Sequence, residues 1–226
     1  MTNTNYIIRR AKESDYSFLA EAILNADLGI YGKNSSYAAL FGISYSQARE
    51  AITAMMDEEV DGCEFSPVHF LIAESDNQPV ACVSSWIENI DGVSSWMART
   101  ALIQHYYPKG ALEHVQNLKH ITDKVMVHRT DGTMQIESVY VKSEHRGHGL
   151  VSKLIKAHVA QFLLRQYPVT TAQLMTYTNN PVAIHAYEKI GFKIVKETNC
   201  TDADVLNYFP GAGMVLMETE IMNLIK

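Results

Sequence analysis

Apolar positions along this chain recur with two periods, and segments of period two alternate with segments of helical period from one end to the other. Residues 6–10 read as a short strand, and Phe18, Leu19, Ala22 and Ile23 then fall on one helical face with Ser14 as the N-cap. Ser44 and Gln47 stand at capping-box spacing ahead of an apolar stripe, Ala48, Ala51, Ile52, Met55 and Met56, whose methionine pair reads as core filling. Residues 68–74 and 80–88 are two β-rich runs separated by the turn formers SDNQP, which predicts an antiparallel hairpin. Leu112, Val115, Leu118, Ile121 and Val125 predict one amphipathic helix after the breakers Pro108 and Gly110. Asp131-Gly132 then turns the chain into a strand at residues 134–141 (MQIESVYV).

The most regular helix follows. Leu150, Val151, Leu154, Ile155, His158, Val159, Phe162 and Leu163 form a continuous stripe, and Pro168 marks where that helix has ended. A strand at residues 172–178, a helix at 181–190 and strands at 192–197 and 214–221 complete the pattern. No repeat, linker or low-complexity segment divides the chain, so residues 1–226 are read as a single α/β domain.

Composition removes several classes of function. A chain of 226 residues with 47% hydrophobic content can bury a substantial core. A net charge of −6 gives none of the basic footprint of a nucleic-acid partner. Cys63, Cys82 and Cys200 are odd in number and far apart, which argues against a disulfide scaffold or clustered zinc and for a reducing cytoplasm. MTNTNYIIRR lacks the apolar region of a signal peptide and no stretch is long enough to span a bilayer, so a soluble, unprocessed protein without a membrane partner is expected. His145, His148, His158 and His185 have no second cluster of ligands at metal spacing, and no metal is expected.

The most informative segment is residues 145–151, HRGHGLV, between the strand at 134–141 and the helix at 150–164. A glycine-containing turn from a strand into a helix exposes unpaired N–H groups at the positive end of the helix dipole, an arrangement that binds phosphate. A second segment, residues 180–192 (NPVAIHAYEKIGF), follows about thirty residues later. Taken in this order, the pair resembles the acetyl-CoA signature of the GNAT superfamily of N-acetyltransferases: an Arg/Gln-x-x-Gly-x-Gly/Ala loop, then Asn-x-x-Ala-x-x-x-Tyr-x-x-x-Gly-Phe.

The resemblance implies an acyl-CoA N-acyltransferase fold: a mixed, mostly antiparallel sheet of six to seven strands, helices on both faces and a splayed strand pair. It implies acetyl-CoA as co-substrate, with its pyrophosphate held by the amides of Gly147, His148, Gly149, Leu150, Val151 and Ser152. Arg146 would orient the loop or contact the phosphates, unless it is simply a solvated arginine. Val151 departs from the family, which has Gly or Ala there, so its side chain must point away from the phosphate. Val139, Tyr140 and Val141 would pair with the pantetheine arm as an added strand, the Val139 amide serving as oxyanion donor. Asn180 would bond the pantetheine, cap the next helix, or both. Tyr187 stands where the family has the proton donor to the CoA thiolate, although a phenol of pKa about 10 is a poor acid toward a thiolate of about 8.5; alternatively it packs with Ile184 and Ile190.

An acceptor amine with a lysine-like pKa near 10.4 needs a base before it can attack. Some family members supply a glutamate from the strand before the Asn motif, but Met175 stands at the equivalent position. Glu137 is the replacement candidate, since two residues before Val139 it would share that residue's strand face; a structural or solvated glutamate is the competing reading. Tyr140 and Tyr177 are weaker candidates for lining the acceptor site. The expected reaction is direct transfer of acetyl to a primary amine, on a small molecule or a protein. The rivals are a non-catalytic acyl-CoA-binding or sensing module and an unrelated nucleotide-binding protein. Residues 29–65 and 92–131 exceed the family's minimal core; the first lies where acceptor-binding elements sit, and the second would be an acceptor lid or a homodimer surface.

Overall fold

The computed structural model describes residues 5–29, 32–58 and 60–225. Its strands are β1 (Ile7–Arg10), β2 (Phe70–Ser75), β3 (Gln78–Ile87), β4 (Met134–Val141), β5 (Thr171–Tyr177), β6 (Lys193–Glu197) and β7 (Met214–Glu220). Its helices are α1 (Tyr16–Leu28), α2 (Ser36–Ala39), α3 (Tyr45–Met55), α4 (Ser95–Tyr106), α5 (Ala111–Asn117), α6 (Lys119–Val125), α7 (Leu150–Leu164), α8 (Pro181–Lys189), α9 (Val205–Tyr208) and α10 (Ile221–Leu224). The strands form one sheet in the order β1-β2-β3-β4-β5-β7-β6, antiparallel throughout except for the central pair, β4 and β5.

Alternation along the strands buries both faces. Leu71, Ala73, Val83 and Ile136 meet Leu154, Ile155 and Val159 of α7 on one face, while Phe70, Ile72 and Cys82 meet α1, α3 and α4 on the other. A third cluster joins Ile121 and Val125 of α6 to Tyr177 and to Phe209, just beyond α9. The segment α4–α6 is thus fastened at one end to the α1–α3 core and at the other to the far end of β5.

Several local expectations hold and several do not. Ser44 caps α3 through the Gln47 amide at 3.2 Å, and Gln47 returns a bond to the Ser44 amide at 2.9 Å. The hairpin turn is shorter than SDNQP: Asp76 and Asn77 both have positive φ, 50° and 61°, the two-residue turn whose twist matches its strands. Ser14 does not cap α1. It lies in a 3-10 turn, Glu13–Asp15, where Asp15 takes the Lys12 amide and is held by Arg9. Residues 92–131 hold three helices where one was expected. In α4 the exposed Trp96 and Met97 interrupt the apolar stripe, and the expected single helix divides at Leu118. Leu163, expected in the α7 stripe, is exposed in the last turn.

Two features of β4 shape the centre of the sheet. It pairs with β5 only from Met134 to Ile136, opposite Ala172 to Leu174, and beyond that point the two strands diverge. Buried amides hold the closed end together: Gln135 Nε2 donates to Gln173 Oε1 at 3.0 Å, and Gln173 Nε2 donates to Glu218 at 2.6 Å. The second feature is a bulge, in which Ser138 and Val139 together oppose Val83, with Ser138 at φ 51°. Carbonyls near the bulge find side-chain donors: Ser84 Oγ bonds the Glu137 carbonyl at 3.0 Å, the Cys82 thiol reaches the Ser138 carbonyl at 3.6 Å, and His158 Nε2 bonds the Val83 carbonyl at 2.9 Å.

The bulge reverses the strand's parity. Met134 and Ile136 before it, and Val139 and Val141 after it, belong to the α7 face, whereas Tyr140 packs with the α1 side. Glu137 is on that same α1 side, paired with Arg129. The expectation that Glu137 shares a face with Val139 is therefore corrected, because one extra residue separates them in register.

Candidate active site

Beyond Ile136, β4 has a partner on the β3 side alone, so its other edge offers unpaired N–H and C=O groups to the gap. A cavity of about 1510 Å3 occupies this gap and passes through the sheet. On the α7 side it is lined by Val139, Val141, Arg146, Gly147, Gly149 and Tyr187, and on the α1 side by Glu88, Arg99, Arg129, Glu137 and Tyr177.

The loop at the first mouth is built for close approach. Gly147 and Gly149 have φ of 80° and 70°, and a Cβ at either would meet open space, so nothing stands in front of the loop backbone. Leu150, Val151 and Ser152 open α7, and their amides have no acceptor within the helix. Val151 is half-buried against the α7 core, so the valine is accommodated. Arg146 Nε donates to the Val141 carbonyl at 3.2 Å, tying the loop to the strand end. Tyr6 braces the loop from β1's side, its hydroxyl 3.1 Å from His145 Nδ1 and its ring 5.6 Å from that of His148. The His148 ring thus turns from the cavity, and only its backbone belongs to the loop.

Asn180 caps α8, its Oδ1 accepting the Ala183 amide at 3.3 Å, and its side chain also lines the cavity. Tyr187, on the buried face of α8, packs edge-on against Phe192, and its hydroxyl has no hydrogen bond among the described residues. Burial, and next the nearby Glu137, push its phenol above the ordinary value, so it stays protonated. Ile184 and Ile190 pack against the same core as Tyr187.

On the opposite side, four charges sit close together. Arg129 Nη2 pairs with Glu137, and Arg99 Nη1 donates to Glu64 Oε1 at 3.1 Å, where the Tyr37 hydroxyl also bonds at 2.9 Å. The two glutamates are driven apart in acidity. Glu64 is fully buried, yet Arg99 and then Arg129 outweigh the burial and keep its carboxyl below the usual range. For Glu137 burial wins over Arg129, and the carboxyl is raised. Neighbouring groups whose acidities diverge in this way are candidates for separate roles, a fixed anion and a proton acceptor. Met175 lines the cavity without a titratable group, and Tyr177 donates to Asp27 at 3.0 Å. Tyr140 packs on Phe18 with ring centroids 6.1 Å apart. Among the described residues no group of three or more His, Cys, Asp or Glu is placed to hold a metal.

The sequence profile of the acetyltransferase (GNAT) family matches residues 37–192, more than two thirds of the chain. The chain belongs to the GNAT family. Solved structures agree on the fold. An N-acetyltransferase from Staphylococcus aureus Mu50 superposes with a TM-score of 0.65 at 17% identity, over 94% of this chain and 100% of that one. SsHAT gives 0.58 at 12% identity, over 96% and 98%. The Salmonella typhimurium protein yncA, solved with its cofactor acetyl-CoA, gives 0.50 at 14% identity, over 96% and 95%. No curated protein matches the chain in sequence.

In this GNAT protein the loop, β4 and α8 residues expected from the sequence line one cavity, and of its α1 side the sequence pointed to Glu137, Tyr140 and Tyr177 but not to the charges around them. Glu64, Glu88, Arg99 and Arg129 were not singled out. Arg99 carried a signal, since it occupies a core-facing step of α4 between the buried Ala98 and the buried pair Leu102 and Ile103. A charge at such a position needs a buried partner. Glu88 is likewise buried, accepting from Trp86 Nε1 at 3.1 Å and from the Ser95 amide at 2.9 Å, where it caps α4.

Proposed function

We propose that this protein transfers the acetyl group of acetyl-CoA to a primary amine by direct attack within a ternary complex. The observation that supports this reading is the cavity through the sheet, with the glycine loop and the free β4 edge on one side and the Glu137 carboxyl, raised by burial, on the other.

The amides of Gly147 to Ser152 would hold the CoA pyrophosphate, and the β4 edge at Val139 to Val141 would receive the pantetheine as an added strand. The free amide group of Asn180 would bond the same arm. Glu137 takes a proton from the acceptor ammonium, becoming the neutral acid. The amine lone pair then forms a C–N bond to the thioester carbon, and the oxyanion is met by the Val139 N–H. The C–S bond breaks and the thiolate leaves toward Tyr187, whose protonated phenol donates a hydrogen bond to it. The second amine proton leaves to solvent. A covalent acetyl-enzyme on cysteine is disfavoured: all three cysteines are buried, and burial pushes the Cys63 and Cys82 thiols up, away from the nucleophilic thiolate.

The test has two readings. CoA should raise the melting temperature, and acetyl-CoA with amines should release free thiol. No shift at millimolar CoA overturns the donor site. A shift without thiol release from any amine overturns the reaction and leaves a binding or sensing module.

A further inference from the structure

The acceptor side of the cavity has more positive hydrogen-bonding capacity than its own glutamates use. Each guanidinium has five N–H donors. Arg99 commits Nη1 to Glu64, Arg129 commits Nη2 to Glu137, and no other hydrogen bond among the described residues engages either side chain. Arg129 Nε is buried without any partner. Both arginines line the cavity, and the like charge of Arg99 works against that of Arg129. The remaining acids lining the cavity are already engaged: Asp27 takes Ser35, Ser36 and Tyr177, Glu88 takes Trp86 and Ser95, Asp123 takes Lys119, and Asp131 takes Asn89.

The balance of charge changes during the reaction proposed above, on which this inference rests. Before proton transfer two arginines face two glutamates. Once Glu137 holds the acceptor's proton, Arg129 loses its directly bonded carboxylate and two arginines share the single charge of Glu64, a buried imbalance that a second anion would offset. The amine itself is by then neutral and cannot supply it.

We infer that the acceptor is a small molecule carrying a carboxylate as well as its amine, the carboxylate seated on Arg99 and Arg129 while the amine meets Glu137. Planar, forked donors suit a carboxylate, which can accept two parallel bonds from one guanidinium. Both arginines are largely buried, Arg99 at 17% and Arg129 at 13% exposure, so the group that reaches them must be small. Residues 92–131 wall this side, with α4 packed through Ala98, Leu102 and Ile103 on the α1–α3 core and α6 through Ile121 and Val125 on Tyr177.

The experiment compares α-, β- and γ-amino acids with their carboxamides and with diamines of similar length, measuring thiol release and, separately, binding to the CoA-loaded protein. Carboxylates should exceed carboxamides in kcat/KM by at least about tenfold. Arg99→Lys, which keeps the charge beside Glu64 but loses the fork, should shrink that preference with CoA affinity unchanged, and Arg129→Gln should do the same. Diamines or carboxamides used as well as amino acids overturn the inference while acetyl transfer stands. Amino-acid binding that Arg99→Lys weakens, without any thiol release, supports the anion seat and overturns the transfer reading instead. No binding or turnover of any amino acid at millimolar concentration overturns the inference.

Discussion

The imidazole of His158 reaches across from α7 to the carbonyl of Val83, its Nε2 lying 2.9 Å from the oxygen opposite the β4 bulge. Burial pushes the ring's pKa down to about 4, against the single favourable bond to Val83, so the ring is neutral in the folded protein at neutral pH. In the unfolded chain the ordinary value near 6.5 applies, so between these two values the unfolded state binds the extra proton and stability falls as the pH falls. The wild type should lose on the order of 3 kcal/mol between pH 7 and pH 4 relative to His158→Gln. Urea unfolding of both proteins across that range measures the difference, and parallel curves would sink the assignment.

Glu137→Gln should lower kcat/KM by about a hundredfold at pH 7 while leaving the Kd for CoA unchanged. The deficit should shrink as the pH approaches the acceptor's own pKa, where the amine needs no base. A constant deficit from pH 6 to 10 would make Glu137 structural, through its pair with Arg129.

Tyr187→Phe removes a hydroxyl with no protein partner among the described residues, so folding should be nearly unaffected. Turnover should drop by roughly tenfold or more with CoA affinity little changed, because the bond matters chiefly when the thiolate forms. An unchanged kcat removes Tyr187 from the chemistry.

Gly147→Val tests the loop. A Cβ there meets no atom, so the variant's cost is that of a β-branched residue at φ 80°. CoA affinity should fall by about tenfold or more as the loop relaxes, with a small change in melting temperature without ligand. Unaltered affinity would show that the loop amides do not hold the pyrophosphate.

The core clamp supplies a stability test. Gln173→Leu strips partners from the Thr130 amide, Gln135 and Glu218 at once, and should cost at least about 2 kcal/mol. Chemical denaturation reads this directly.

What could be seen in the sequence was what is governed locally. The bounds of β4 and α7 were read as they stand, because alternation and a helical stripe meet at a glycine turn. The α7 side of the cavity followed from two short motifs. The bulge was invisible, since it is a property of β4 against β3, and it moved Glu137 to the opposite face from the one its spacing implied. The pair Arg99–Glu64 spans 35 residues and joins two helix-rich segments, so no periodicity announces it. Residues 92–131 were marked as surplus by length, but their three helices interleave exposed and buried positions too irregularly for a stripe to emerge.

The gap between β4 and β5 has exposed residues at both mouths, Arg146 on one face of the sheet and Trp96 on the other. Two substrates meeting in it would be joined through the sheet for the lifetime of their shared tetrahedral carbon and for no longer. Breaking the C–S bond would then also be a topological release, with CoA free to withdraw on one side of the sheet and the acetylated acceptor on the other.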